Sequence, residues 1–344
     1  MKILWIAPAT RKYMDDSHSA VADYINQSIK GSPDWAEHTI LGPEGSVSSH
    51  SILTAGGRLV HEYTGNDSRS IVDIDGNTLA EMLRLALNIQ EEYDVIINTG
   101  HDWLSYYRLP EFRTRYMCVP NLVKTHPSID RIISYRSERY KSNVAFISKY
   151  QRMELQGNNT PTNVIGQPFY VDDYHYHEPS TPHYLMWAGR IFREKGLHHA
   201  AEISKRYGLP LRVAGTVTDQ SYFNEVFSCY GNLEYLGELN RVDLNRVTGT
   251  ALAFLQTQDG FDEAFGRVTV ESRLSGTPVI AYPQGANIEL VQHGIGGFII
   301  NGTDTAVSAL RKVQAIDRIE NRKRCISEHS TEAFWQRLTN FLES

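Results

Sequence analysis

The 344-residue chain is long enough for about two domains with apolar cores of their own. Hydrophobic residues make up 41% and charged residues 22%, which excludes a disordered or fibrous chain. Lys and Arg number 34 against 40 Asp and Glu, a net charge of −6; that balance excludes a protein that wraps nucleic acid by bulk charge, so any anion site has to be local.

The opening run, Ile3 to Ala7 before Pro8, is too short for a signal peptide and reads as a first strand. The stretch from His18 to Ile29 spaces Val21, Ala22, Ile25 and Ile29 as a helix does. Asn77 or Thr78 is placed to cap a second helix, with Leu79, Met82, Leu83 and Ala86 on one face, and a buried strand follows at Asp94 to Asn98. Tyr116 to Val119 and Asn143 to Ile147 read as two more strands, the latter handing over to a helix capped by Ser148. Pro168, Pro179 and Pro182 then break the pattern between Gly166 and His183, where a linker is expected.

A second series begins at the strand Tyr184 to Ala188 and continues with the helix Gly196 to Tyr207 and the strand Leu211 to Ala214. The helix Asp219 to Cys229, the strand Leu233 to Leu236 and the helix Arg241 to Val247 follow. Ala251 to Leu255, Pro278 to Tyr282 and Gly297 to Ile300 add three strands. Alternation of this kind predicts an α/β protein of two Rossmann-like, doubly wound domains facing a central cleft. The expected organisation is a first domain over 1–166, a second over 167–327, and a C-terminal helix over 328–344 that crosses back to the first.

Two stretches carry chemistry. Ala188-Gly189-Arg190-Ile191-Phe192-Arg193-Glu194-Lys195-Gly196 sits where a strand ends and a helix begins, the place where open α/β sheets bind ligands. Arg190 offers a rigid fork of donors and Lys195 a compact charge, a pairing suited to a diphosphate. Read alone, the same stretch also suits a solvated basic turn. Gly260 to Glu271 again follows an apolar strand. It sets Glu263 in a loop, Gly266 near a helix start and Glu271 about two turns into that helix. The backbone N–H groups of such a helix end favour phosphate, and carboxylates accept well from hydroxyl groups. The bland alternative makes both glutamates ordinary surface residues.

Together with Leu236-Gly237 and Ser275-Gly276-Thr277-Pro278-Val279-Ile280-Ala281, these residues resemble, in order and spacing, the retaining glycosyltransferases of family 4, the "group 1" set with the GT-B fold. The resemblance implies that Arg190 and Lys195 hold the donor diphosphate, that Glu263 meets the donor sugar and that Glu271 meets the ribose. It also implies that backbone groups at Phe265, Gly266, Arg267 and Val268 contact sugar or phosphate, and that the base lies near Gly237, Glu238 and Leu239. In the first half, Asn98-Thr99-Gly100-His101-Asp102-Trp103 is similar to the histidine loop beside the donor sugar, which makes His101 the expected active-site histidine. Pro120 or Asn121 stands where many relatives have a second histidine, and Asp16 and Ser17 stand where they have a glycine pair.

Other features read as structural. Asp73-Ile74-Asp75 is followed by Gly76-Asn77 and suits a turn and cap better than a metal motif. His175 and His177 lack a carboxylate or cysteine partner in the pattern, and Cys118, Cys229 and Cys325 are too scattered for a zinc site or a disulfide framework. His198 and His199 read as one buried and one exposed ring. Ile129 to Lys141, with Arg131, Arg136 and Arg139, reads as a surface helix rather than a membrane face. No stretch approaches the roughly 20 apolar residues of a membrane span, and cytoplasmic location with at most peripheral contact at the inner membrane face is expected.

The resulting expectation is a retaining hexosyltransferase that takes a sugar from a UDP- or GDP-type sugar nucleotide, with no metal or other cofactor, and passes it to a glycan, lipid-linked or small-molecule acceptor. A GT-B nucleotide-sugar epimerase and a non-catalytic nucleotide-sugar-binding protein are the alternatives.

Overall fold

The structure, a computed structural model, describes residues 1–15, 19–59, 76–123, 126–140, 143–156, 163–178 and 183–343. The readings made at Asp16, Ser17, Asp73, Asp75, Lys141, Pro179 and Pro182 lie outside the described residues. The chain divides into two compact units, residues 1–169 with 331–344, and residues 170–330.

The first unit is built on a parallel sheet in the order β3-β2-β1-β4-β5, formed by β1 (Lys2–Ile6), β2 (Glu37–Pro43), β3 (Ser51–Ala55), β4 (Val95–Asn98) and β5 (Arg115–Cys118). Ile3 pairs with Val95 and Trp5 with Ile97. These central strands are buried on both faces, which is why β1 and β4 read as unbroken apolar runs. Helix α1 (Ala20–Lys30) turns Ala22, Tyr24, Ile25 and Ile29 inward. Helix α2 (Thr78–Asn88) starts at Asn77, whose side chain accepts from the Leu79 amide at 2.8 Å. A short α3 (Trp103–Tyr107) is capped by Asp102, and α4 (Pro127–Arg139) and α5 (Lys149–Gln156) follow. On α4, Ile129 and Ile133 face the core. The last helix of the chain, α13 (Thr331–Glu343), belongs to this first unit. Phe334, Trp335 and Leu338 are buried, the Trp335 indole donates to the Ser28 carbonyl at 2.9 Å, and the Phe334 ring meets Tyr24 edge-on.

Two corrections apply here. Asn143 to Ile147 is not a ladder strand: its backbone divides between two partners, Val144 bridging to Cys118 and Phe146 to Val164. Strands β2 and β3 were not anticipated, because β2 opens on polar residues and β3 is a half-exposed edge.

The second unit holds six parallel strands in the order β11-β10-β9-β6-β7-β8: β6 (Leu185–Ala188), β7 (Leu211–Ala214), β8 (Leu233–Tyr235), β9 (Phe254–Gln256), β10 (Val279–Ala281) and β11 (Gly297–Ile299). Numbered within the unit this is 3-2-1-4-5-6 read from β8, and the order in which successive strands are added reverses between β6 and β9. Between the strands run α6 (Leu197–Tyr207), α7 (Gln220–Cys229), α8 (Arg241–Gly249), α9 (Arg267–Leu274), α10 (Asn287–Val291) and α11 (Thr303–Leu310), with α12 (Arg318–His329) closing the unit. Trp187, Leu197, Ile203, Val213 and Leu255 form the core on one face of the sheet, and Met186, Phe254 and Val279 on the other. Strand β9 starts at Phe254 rather than Ala251, and the Ala251 and Leu252 carbonyls accept from Arg318. Helix α9 is fixed from behind by Arg273, which is fully buried and donates to Asn321, to the Leu290 carbonyl and to Gln292.

Candidate functional site

The ligand position that the fold favours is the switch point of the second sheet, beyond the carboxyl ends of β6 and β9. The loop after β6 brings Arg190 and Lys195, and the loop after β9 brings Glu263. Gly196 explains how the two loops come together. Its φ of 71° belongs to the left-handed region, and a Cβ there would stand 1.8 Å from the Thr257 carbonyl oxygen. Only glycine admits that approach. Thr257 Oγ1 donates to the Gly196 carbonyl at 2.8 Å, and the Asp259 amide donates to the Glu194 carbonyl at 2.9 Å. Lys195 therefore lies between two residues that are each tied to the opposite loop.

Across this seam Lys195 Nζ and Glu263 Oε1 form an ion pair, both side chains being mostly buried. The Lys195 ammonium stands 4.1 Å from the centroid of the Phe261 ring, a cation–π contact. Glu263 is anchored through its carbonyl, which accepts from the Ala286 amide. Arg190 is exposed, with its guanidinium over Phe192 at 5.2 Å. Sequence reasoning passed over Phe192 and Phe261, whose rings meet edge-on at 5.9 Å; Phe192 stands between Arg190 and Arg193 in sequence, whereas the cation beside Phe261 comes from the other loop and left no local signal.

Gly266, with φ 95°, starts α9 without a side-chain cap. Glu271 lies one turn into α9, not two, because the helix begins only at Arg267. It pairs with Arg267 at 3.6 Å and accepts from the Tyr174 hydroxyl at 3.4 Å. Beside it is a small pocket that Arg241, Leu244, Asn245 and Ser275 help to line. Asp173 pairs with Arg241 at 2.7 Å at its rim. Phe265 has its ring buried against His329, so only its backbone can serve a ligand. Gly237, Glu238 and Leu239 follow β8; Glu238 is exposed, and Leu239 packs against the core.

In the first unit, His101 follows β4 at the switch point of that sheet, between β1 and β4. Its loop is held tightly. Thr99 Oγ1 donates to the Ile6 carbonyl, Asn121 donates to the Thr99 carbonyl, and buried Asp102 accepts from the Ser105 amide at 2.9 Å. Burial raises the Asp102 carboxyl above its ordinary range.

His177 meets Asn245 at 3.1 Å. His198 and His199 are both half-buried, since one bonds the Tyr222 hydroxyl and the other Asp259. Among the described residues, no group of three or more His, Cys, Asp or Glu is placed to hold a metal ion, and no helix is long and apolar enough to cross a membrane.

Two parallel sheets flanked by helices, in the strand orders given above, are the arrangement of the GT-B fold. Residues 174–330 match the model of the family of glycosyl transferases group 1. Similar folds include HepE of Anabaena, solved with UDP and glucose, at 17% identity and TM-score 0.73 over 100% of each chain. Sucrose-phosphate synthase of Thermosynechococcus elongatus is similar at 14% identity and TM-score 0.71, covering 99% of this chain and 98% of that one. The lipopolysaccharide outer core galactosyltransferase WaaB in its apo form is similar at 14% identity and TM-score 0.70, over 100% of this chain and 99% of its own. No curated protein matches the chain by sequence.

Proposed function

We propose that this glycosyltransferase is a retaining, metal-independent hexosyltransferase using a UDP- or GDP-type sugar donor. The observation that carries the reading is the Lys195–Glu263 pair at the β6/β9 switch point. A donor diphosphate competes for the Lys195 ammonium, and the Glu263 carboxylate is then released to accept from sugar hydroxyls. Glu271 serves the ribose, and the backbone from Gly237 to Leu239 the base. The glucose and UDP bound by HepE favour a UDP donor.

In the transfer the bond from the anomeric carbon to the phosphate oxygen breaks, and a bond to the acceptor oxygen forms on the same face. The acceptor proton passes to the departing phosphate. Negative charge grows on that phosphate, where Arg190, Lys195 and the amino end of α9 stabilise it. Fixed cations thus take the part a divalent ion has elsewhere. His101 is the active-site histidine of this reading.

Lys195→Ala should weaken UDP binding at least tenfold by calorimetric titration, since a charge-assisted contact contributes about 1.5–3 kcal/mol. Transfer should survive excess EDTA. Unchanged UDP affinity removes Lys195 from the site, and loss of transfer with rescue by Mn²⁺ overturns metal independence.

A further inference from the structure

Gln258 stands in the β9 loop between the two cross-links of the seam, with Thr257 tied to Gly196 on one side and Asp259 to Glu194 on the other. It is 1% exposed. Neither its Nε2 nor its Oε1 has a hydrogen-bond partner among the described residues. A buried carboxamide with both ends unsatisfied is costly, and native folds seldom keep one without a reason. An apolar side chain of the same length would fill the space at no such cost. The neighbouring polar groups do not relieve it: Thr257 is committed to Gly196, and Lys195 and Glu263 to each other.

We propose that Gln258 is a further donor-binding residue, whose carboxamide is held without a protein partner so that it bonds the hydroxyl groups of the donor sugar. The chemistry selects the sugar over the diphosphate. A carboxamide donates from nitrogen and accepts at oxygen, and adjacent hydroxyls of a sugar do both, whereas a diphosphate only accepts. To reach the amide the sugar must displace part of the loop that follows. Gly260 is exposed there, with φ 80° and no atom near the place of a Cβ, so it can take up the backbone change. This inference rests on the donor site proposed above.

The test compares the full-length wild type with Gln258→Met and Gln258→Leu. UDP-glucose, UDP-galactose, UDP-N-acetylglucosamine and GDP-mannose are screened by thermal stabilisation, and the one that stabilises the wild type most is titrated alongside its bare nucleoside diphosphate. Both variants should melt at the wild-type temperature or a few degrees above it, because an unpaired amide has been removed. The sugar nucleotide should bind at least tenfold more weakly while the bare nucleotide binds within twofold of wild type. Sugar-nucleotide affinity that stays unchanged overturns the role of Gln258 alone, as does a clear fall in melting temperature in both variants, which marks the amide as structural. Stabilisation of the wild type by none of the four overturns the donor-site reading, and this inference with it.

Discussion

Glu263 has two claims on it, the Lys195 ammonium in the structure described here and the sugar hydroxyls in the proposed reaction. That dual use gives a specific expectation. Glu263→Ala should weaken the intact sugar nucleotide more than the bare nucleotide, and turnover should fall by about 10², the scale of losing one group that stabilises a transition state. Steady-state kinetics paired with titration of both ligands checks it. His101→Ala should cost a similar factor in turnover while leaving nucleotide affinity as it was. Near wild-type turnover would remove His101 from the chemistry and shift attention to Asn121, which already bonds the same loop.

At the scale of elements, α9 is the piece whose placement matters most, since it bears Glu271 and directs its amino end toward the switch point. Arg273 secures it. Asn321 and the Leu290 carbonyl are buried with Arg273 and Gln292 is partly buried beside it, so Arg273→Ala leaves several acceptors unsatisfied and should destabilise the second unit by about 3 kcal/mol or more. A melting temperature within two degrees of wild type would show that α9 is held by packing alone. Much of this architecture was legible in the sequence. The β6–α6–β7 series showed itself because its strands are short apolar runs and its helix has a 3.6-residue period, and Asn77, Ser148 and Asp219 declared their helix starts by residue type. The edge strand β3 did not, because half-exposed edges mix polar with apolar residues. Lys195 and Glu263 were found singly, through resemblance, yet their pairing was invisible. The seam that joins them depends on Gly196 meeting Thr257, two positions far apart in sequence with no periodic pattern between them.

Considered as a whole molecule, the chain carries an acid-sensitive point in its first unit. His38 accepts from the Trp5 indole at 3.1 Å and packs against Trp335, with its other ring nitrogen buried and unpartnered among the described residues. Burial, the first cause, then His50 and the amino terminus lower its pKa from 6.5 to about 4. The unfolded chain thus binds a proton below 6.5 that the folded one refuses. Stability is complete above pH 6.5 and is lost as pH falls toward 4. His38→Gln keeps an acceptor for Trp5 and does not titrate, so its melting temperature should fall less than that of wild type across this window. Parallel pH profiles for the two proteins would exclude His38 as the source. The helix α13 has a consequence for synthesis. Vectorial production usually lets an amino-terminal domain finish first. Here the first unit lacks Phe334, Trp335 and Leu338 until the whole of the second has been made. A released chain truncated after Ser330 should therefore present a protease-resistant second unit behind a first unit that is still open, and during synthesis the second unit should be complete before the first, which was translated earlier.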